Sequence, residues 1–181
     1  MTEYLSKNFT LEELTYSDTA KAKKISNLPT EVHKKTLKHT AQYLLEPLRN
    51  LLNEKYKTYC RKNVKSVVIK ITSGYRSQAL NKVIKGASKT SMHCTGEAID
   101  CKAVVIFTDN SKKELPYTEL YENIKTWTRA GRISVDQCIQ ERSTAGATWV
   151  HISHSASGKM KDRKQFLKYN GKTYALDIWI K

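Results

Sequence analysis

Leucine and alanine recur at three- and four-residue steps between residues 37 and 52, at Leu37, Ala41, Leu44, Leu45, Leu48, Leu51 and Leu52. That is the period of a helix with one apolar face. Pro47 lies inside the stripe and cannot donate a backbone hydrogen bond, so the helix is expected to kink or split there. Upstream, "FTLEEL" sets Thr10 three residues before Glu13, the spacing of a capping box at the start of a short helix. Downstream the pattern changes. "SVVIKITS", Ser66 to Ser73, is rich in β-branched residues and reads as a strand. "SQALNKVIKG" reads as a short helix with Ser77 as its N-cap and Gly86 near its end. "EAIDCKAVVIF" is a second strand, and "YTELYENIKTWTRAG" puts Leu120, Ile124 and Trp127 on one helical face. "SVDQCIQE" and "TWVHISH" are short strands joined by "RSTAGA", which predicts a β-hairpin, and Asn170-Gly171 marks a second hairpin in the tail.

Helices first, then strands with helices between them, predict one α+β domain with a mostly antiparallel sheet and flanking helices. Its parts are a helical lead-in at about 8–58, a core at about 65–155 and a C-terminal hairpin at about 165–181. The length of 181 residues suits a single domain, since domains commonly run ~100–200 residues. No apolar run approaches the ~20 residues of a membrane span. The N-terminus "MTEYLSKNFTLEEL" has no basic segment followed by an apolar one, so synthesis in a cytoplasm without a cleaved signal is expected.

Charge changes the picture more than composition does. The formal net charge is +15, with lysines spread along the whole chain. This favours anionic polymers, whether nucleic acid, anionic lipid or bacterial wall and envelope, and equally serves simple solubility. No nucleic-acid recognition motif accompanies it, so specific nucleic-acid binding ranks last. The four cysteines, Cys60, Cys94, Cys101 and Cys138, form no C-x-x-C pair and read as reduced thiols rather than a disulfide framework. Cys94 and Cys101 sit beside His93 and Asp100, so a thiolate metal ligand is open alongside an ordinary buried cysteine.

Three polar islands interrupt apolar strand ends: "SGYRS", "SMHCTGEAID" and "TWVHIS". A catalytic zinc takes three protein ligands and leaves one position for water. His93, Asp100 and His151 offer such a set, the first two flanking a turn that Gly96 permits. Taken singly, each has an ordinary reading: a loop histidine, an edge-strand aspartate, the polar side of a half-exposed strand.

The order and spacing of S-G-Y-R-S, S-x-H-x-x-G-x-A-x-D and W-V-H-I-S, with "VDQCIQE" before the last, resemble the D-alanyl-D-alanine carboxypeptidase family of zinc peptidases. That family includes dipeptidases of vancomycin resistance and L-alanyl-D-glutamate endopeptidases used as phage endolysins. Its fold is shared with the zinc-bearing domain of hedgehog proteins. The lead-in "NFTLEELTYSDTA" is similar to that of phage- and prophage-encoded members, and the likeness runs roughly from residue 8 to 155.

The resemblance implies one zinc ion per chain, held by His93, Asp100 and His151. Two neutral imidazoles and one carboxylate leave zinc a net positive charge, which acidifies water. It also implies that Arg76 binds substrate near the scissile bond, and that Ser91 orders its loop or touches substrate. Several family members carry an acid three positions before the final histidine, where this chain has Thr148. Glu141 is the expected replacement general base, its ordinary reading being a hairpin-end carboxylate facing water. A hairpin register that sets Ile139 against His151 and Glu141 against Trp149 puts all four on one face. Asp136 and His154 are candidates for the surrounding shell or the substrate side, and Trp149 for packing.

The activity implied is hydrolysis of peptidoglycan stem peptides, as a carboxypeptidase or an endopeptidase. Such a protein acts on the wall after holin-type release, as a phage or prophage lysin. The alternative, favoured by Thr148, is a zinc-stabilised non-catalytic module of a phage particle.

Overall fold

The structure, a computed structural model, describes residues 2–59, 63–156 and 161–178. Two short helices, α1 (Leu11–Thr15) and α2 (Asp18–Lys23), precede α3 (Glu31–Thr40) and α4 (Glu46–Tyr59). The capping box at α1 forms as its spacing predicts. Thr10 Oγ1 accepts from the Glu13 amide, and the Glu13 carboxylate accepts from the Thr10 amide. Strand β1 (Val64–Ser73) leads to α5 (Gln78–Val83), capped by Ser77 Oγ. Then come β2 (Ala98–Phe107), β3 (Lys112–Glu114), α6 (Tyr117–Arg129), β4 (Gln137–Arg142), β5 (Thr148–Ser153), β6 (Gln165–Tyr169) and β7 (Tyr174–Leu176).

Pro47 neither breaks nor splits the leucine helix. Residues Ala41–Leu45 form a π-helical turn between α3 and α4, and the Glu46 amide reaches back five residues to Ala41. Proline has no N–H for the carbonyl four residues before it, and its ring crowds that carbonyl. The wider turn absorbs both effects. The apolar stripe therefore runs on without interruption, and Leu37, Ala41, Leu44, Leu45, Leu48, Leu51 and Leu52 are all buried.

The sheet has the order β1-β2-β5-β4-β6-β7, with β3 also paired to β2. All neighbours are antiparallel except β4 and β6, which run parallel. Strand β3 is a three-residue exposed piece whose charged sequence "KKE" carries no strand signal; it is held by its neighbour β2 alone. The architecture is thus the expected α+β domain, a mostly antiparallel sheet with flanking helices. Val67, Cys101, Val105, Val150, Ile152, Cys138 and Phe166 are buried with the leucines of α3 and α4 and with Leu120, Tyr121 and Ile124 of α6 in one core. Cys94, Cys101 and Cys138 are buried free thiols; Cys60 lies outside the described residues.

The opposite face of the sheet carries the polar islands. Residues directly opposed in a ladder share a face. One row therefore runs Asp100, His151, Ile139, Leu167, Leu176 across β2, β5, β4, β6 and β7. The next row runs Trp149, Glu141, Tyr169, Tyr174. The hairpin register is the expected one, Ile139 against His151 and Glu141 against Trp149.

Candidate metal centre

His93 sits in a short 3-10 turn, Met92–Cys94, whose start is capped by Ser91 Oγ accepting from the His93 amide. Ser91 therefore orders the loop. The His93 ring is 2% exposed, and its Nδ1 lies 2.7 Å from the Gly74 carbonyl oxygen. A carbonyl only accepts, so Nδ1 carries the proton and Nε2 presents a lone pair. That lone pair faces Asp100 Oδ1 at 3.3 Å and His151 Nδ1 at 3.2 Å, while His151 Nδ1 and Asp100 Oδ1 are 2.9 Å apart.

An imidazole lone pair and a carboxylate oxygen repel each other unless positive charge stands between them. The three atoms form a triangle with edges of 2.9, 3.2 and 3.3 Å. Ligands at ~2.0–2.1 Å around a tetrahedral zinc are separated by about 3.3–3.4 Å. The donor set and the fixed tautomer therefore fit a small divalent cation, with the triangle drawn slightly tighter than that spacing. Among the described residues, His93, Asp100 and His151 are the group of such side chains that could hold one.

The electrostatics agree. Burial pushes the His93 pKa down, against the pull of Asp100, and so favours the neutral ligand form. Burial alone would raise the Asp100 pKa, but the two histidines together outweigh it and hold the carboxyl below the usual range. Arg76 adds to this network: its Nη2 donates to Asp100 Oδ2 at 2.8 Å and its Nε donates to Ser73 Oγ at 3.0 Å. The guanidinium expected to reach substrate is thus turned onto the second oxygen of Asp100. There it fixes the carboxylate so that Oδ1 faces the histidines.

Glu141 stands one row away, two residues along the shared face from the His151 row. Burial, and next the negative charge of Asp100, push its pKa up to about 7; His151 and Arg76 pull the other way. The Trp149 indole N–H lies near enough to draw that pKa down slightly, yet makes no hydrogen bond of standard geometry.

Two expected residues are placed elsewhere. Asp136 is buried beneath Arg163, which donates to its two oxygens at 2.8 and 2.6 Å, and it also accepts from Ser153 Oγ. Its partners make it a tie between β4, the end of β5 and the segment before β6. His154 Nδ1 lies 2.6 Å from Asp162, and its ring stacks on His39 at 5.3 Å. His154 lies one residue past the end of β5, and these partners hold it away from the metal-site group. Cys94 and Cys101 stay out of the ligand group; burial pushes both thiols up, which disfavours thiolate.

Gly74 was not legible as a site residue. A side chain there would drive its Cβ into the Leu14 carbonyl, which accepts from the Tyr75 amide at 2.7 Å. Only glycine lets α1 close over this turn while its own carbonyl orients His93. Gly74→Ala is expected to cost about 1–3 kcal/mol by overpacking and to weaken metal binding ~10–100-fold through the lost orientation of His93. Urea unfolding and competition with a chelating dye measure the two effects separately.

A family model described as Peptidase M15 matches residues 7–115, more than half of the chain. The chain belongs to the Peptidase M15 family. The matched span of this Peptidase M15 member contains Arg76, His93 and Asp100. Glu141 and His151 lie beyond it and join the site through β4 and β5. No curated protein and no solved structure matches the chain. No described helix is long and apolar enough to cross a membrane.

Proposed function

We propose that this Peptidase M15 member is a zinc metallopeptidase that hydrolyses peptide bonds in the stem peptides of bacterial peptidoglycan, in the manner of a phage or prophage lysin. The observation that carries the reading is the meeting of His93 Nε2, Asp100 Oδ1 and His151 Nδ1 within 3.3 Å of one another. The stem-peptide assignment is supported by the likeness of the three motifs to wall peptidases. The +15 charge supports it further, since it draws the protein to an anionic wall.

Zinc bound by these three residues supplies a Lewis acid that acidifies water and polarises the peptide carbonyl. The remaining work belongs to the chain. Gly74 holds His93 in the tautomer that leaves Nε2 free. Arg76 occupies Asp100 Oδ2, so Asp100 stays anionic and keeps Oδ1 on the metal side. Glu141 takes a proton from the attacking water and returns it to the leaving amine. Burial raises the pKa of this carboxyl, which favours taking a proton from water while still allowing its return.

The non-catalytic alternative draws on Thr148, which stands where relatives carry an acid. Glu141 opposes its neighbour Trp149 on the adjacent strand and offers a carboxylate to the same face, which favours the enzyme. Purified peptidoglycan incubated with the zinc-loaded protein is expected to release free amino termini. Chelator should abolish the release and added zinc restore it. A zinc-loaded protein that opens no wall peptide overturns the reading in favour of the module.

A further inference from the structure

The sheet face that carries the metal-site residues does not end at Glu141. Across β6 the same row continues to Tyr169 and across β7 to Tyr174. The two rings stack at 4.4 Å between centroids with 26° between planes. Tyr174 is 57% exposed, although a large ring on an edge strand gains by burial. Burial, and next the negative charge of Glu141, push its phenol pKa up. The ring stands on the same sheet face as Glu141, with Tyr169 between them in the row. Beside it in the neighbouring row stand Leu167 and Leu176, the latter 58% exposed.

Together these residues make an apolar wall on one side of Glu141, built by a hairpin that lies outside the span matched by the family model. The two rows, Asp100, His151, Ile139, Leu167, Leu176 and Trp149, Glu141, Tyr169, Tyr174, contain no lysine or arginine. On the hairpin side of His151 the two rows carry one charged side chain, Glu141, in a chain of net charge +15. This side suits an uncharged part of a ligand.

We propose that Tyr174, supported by Tyr169, is a substrate-binding residue, the ring of Tyr174 packing against an uncharged portion of the stem peptide on the hairpin side of the scissile bond. This rests on the wall-peptidase reading above. Ring contact supplies the binding, through the face of Tyr174 that Tyr169 leaves uncovered. The wall adds affinity in the ground state and the transition state alike, so its loss raises KM and spares kcat.

The test uses soluble muropeptides prepared from purified peptidoglycan, with two readouts. In turnover, Tyr174→Ala is expected to raise KM about tenfold, in line with an aromatic contact plus its buried area, with kcat within about twofold. Tyr174→Phe should behave as wild type. The tenfold effect should persist unchanged at high salt, because no charge is involved. In binding, titration of the same muropeptides into zinc-loaded Glu141→Gln protein should show a matching loss of affinity when Tyr174→Ala is added. Tyr169→Ala, which removes the ring behind Tyr174, should give an effect in the same direction. Thermal unfolding of each variant is expected to follow the wild-type transition, which separates lost binding from lost fold. Equal affinity and equal KM with and without the Tyr174 ring overturn the assignment while leaving the peptidase reading in place. A loss in Tyr174→Phe as large as in Tyr174→Ala also overturns it, in favour of a hydroxyl role. Muropeptides that neither bind nor react with any form overturn the wall-peptide reading itself, and this assignment with it.

Discussion

Glu141→Gln is expected to lower turnover of peptidoglycan by about 10²–10⁴-fold, the range that a positioned acid–base group supplies, with metal content unchanged at one ion per chain. The substitution keeps shape and burial and removes only the ability to take a proton. Glu141 is not one of the three side chains that could hold the ion, so the ligand set is untouched. The pH profile gives a second check. A general base must be deprotonated, so activity falls on the acid side as Glu141 gains its proton. Burial and the Asp100 charge set that pKa at about 7 without a cation, and a divalent ion beside it pulls the value lower. The acid limb of kcat/KM should therefore lie below about 7 and disappear in Glu141→Gln. Wild-type turnover by that variant would mean that another group moves the proton.

His93→Ala should be as severe through a different route. It removes one of three ligand atoms, and losing even an outer partner of a metal ligand costs ~10–100-fold in affinity. A direct ligand should cost more than about 100-fold. Elemental analysis of dialysed protein is expected to find one zinc per chain in the wild type and essentially none in the variant. Stability supplies a readout independent of catalysis. Zinc at 100 times its Kd stabilises the folded wild type by about 2.7 kcal/mol, and this increment should vanish in His93→Ala. Zinc retained by the variant at wild-type affinity would exclude His93 as a ligand. The two substitutions together separate holding the ion from using it: Glu141→Gln binds zinc and does not turn over, while His93→Ala does neither.

Local chemistry made much of the fold legible. The capping box at Thr10, the Ser77 cap, the leucine stripe and the β-branched runs are short-range signals, and each element forms near its expected place. Pro47 shows where local reading stops. The missing N–H predicts a defect but not its form, and the packing of the leucines on both sides selects a π-turn over a break. Strand β3 carries no signal of its own, because its pairing with β2 creates it. The parallel pairing of β4 with β6 was equally silent, since nothing within either strand specifies the neighbour that arrives last.

The candidate site divides in the same way. The sequence by itself determined which residue types were available and in what order: His93 and Asp100 around a turn, His151 on a later strand, and a carboxylate at Glu141 in place of the acid missing at Thr148. The strand period of two puts Glu141 and His151 on one face only in the register that pairs Ile139 with His151, and that register belongs to the assembled hairpin. Only the tertiary structure decided that Nε2 of His93 is the free nitrogen, because that depends on a carbonyl from Gly74, 19 residues away. It alone turned Arg76 onto Asp100 and took His154 and Asp136 to partners of their own. It alone set Tyr169 and Tyr174 beside Glu141. The physical reason is range: capping, periodicity and turns are settled within a few residues, whereas a tautomer, a pKa and a binding wall are set by groups that meet only when the sheet assembles.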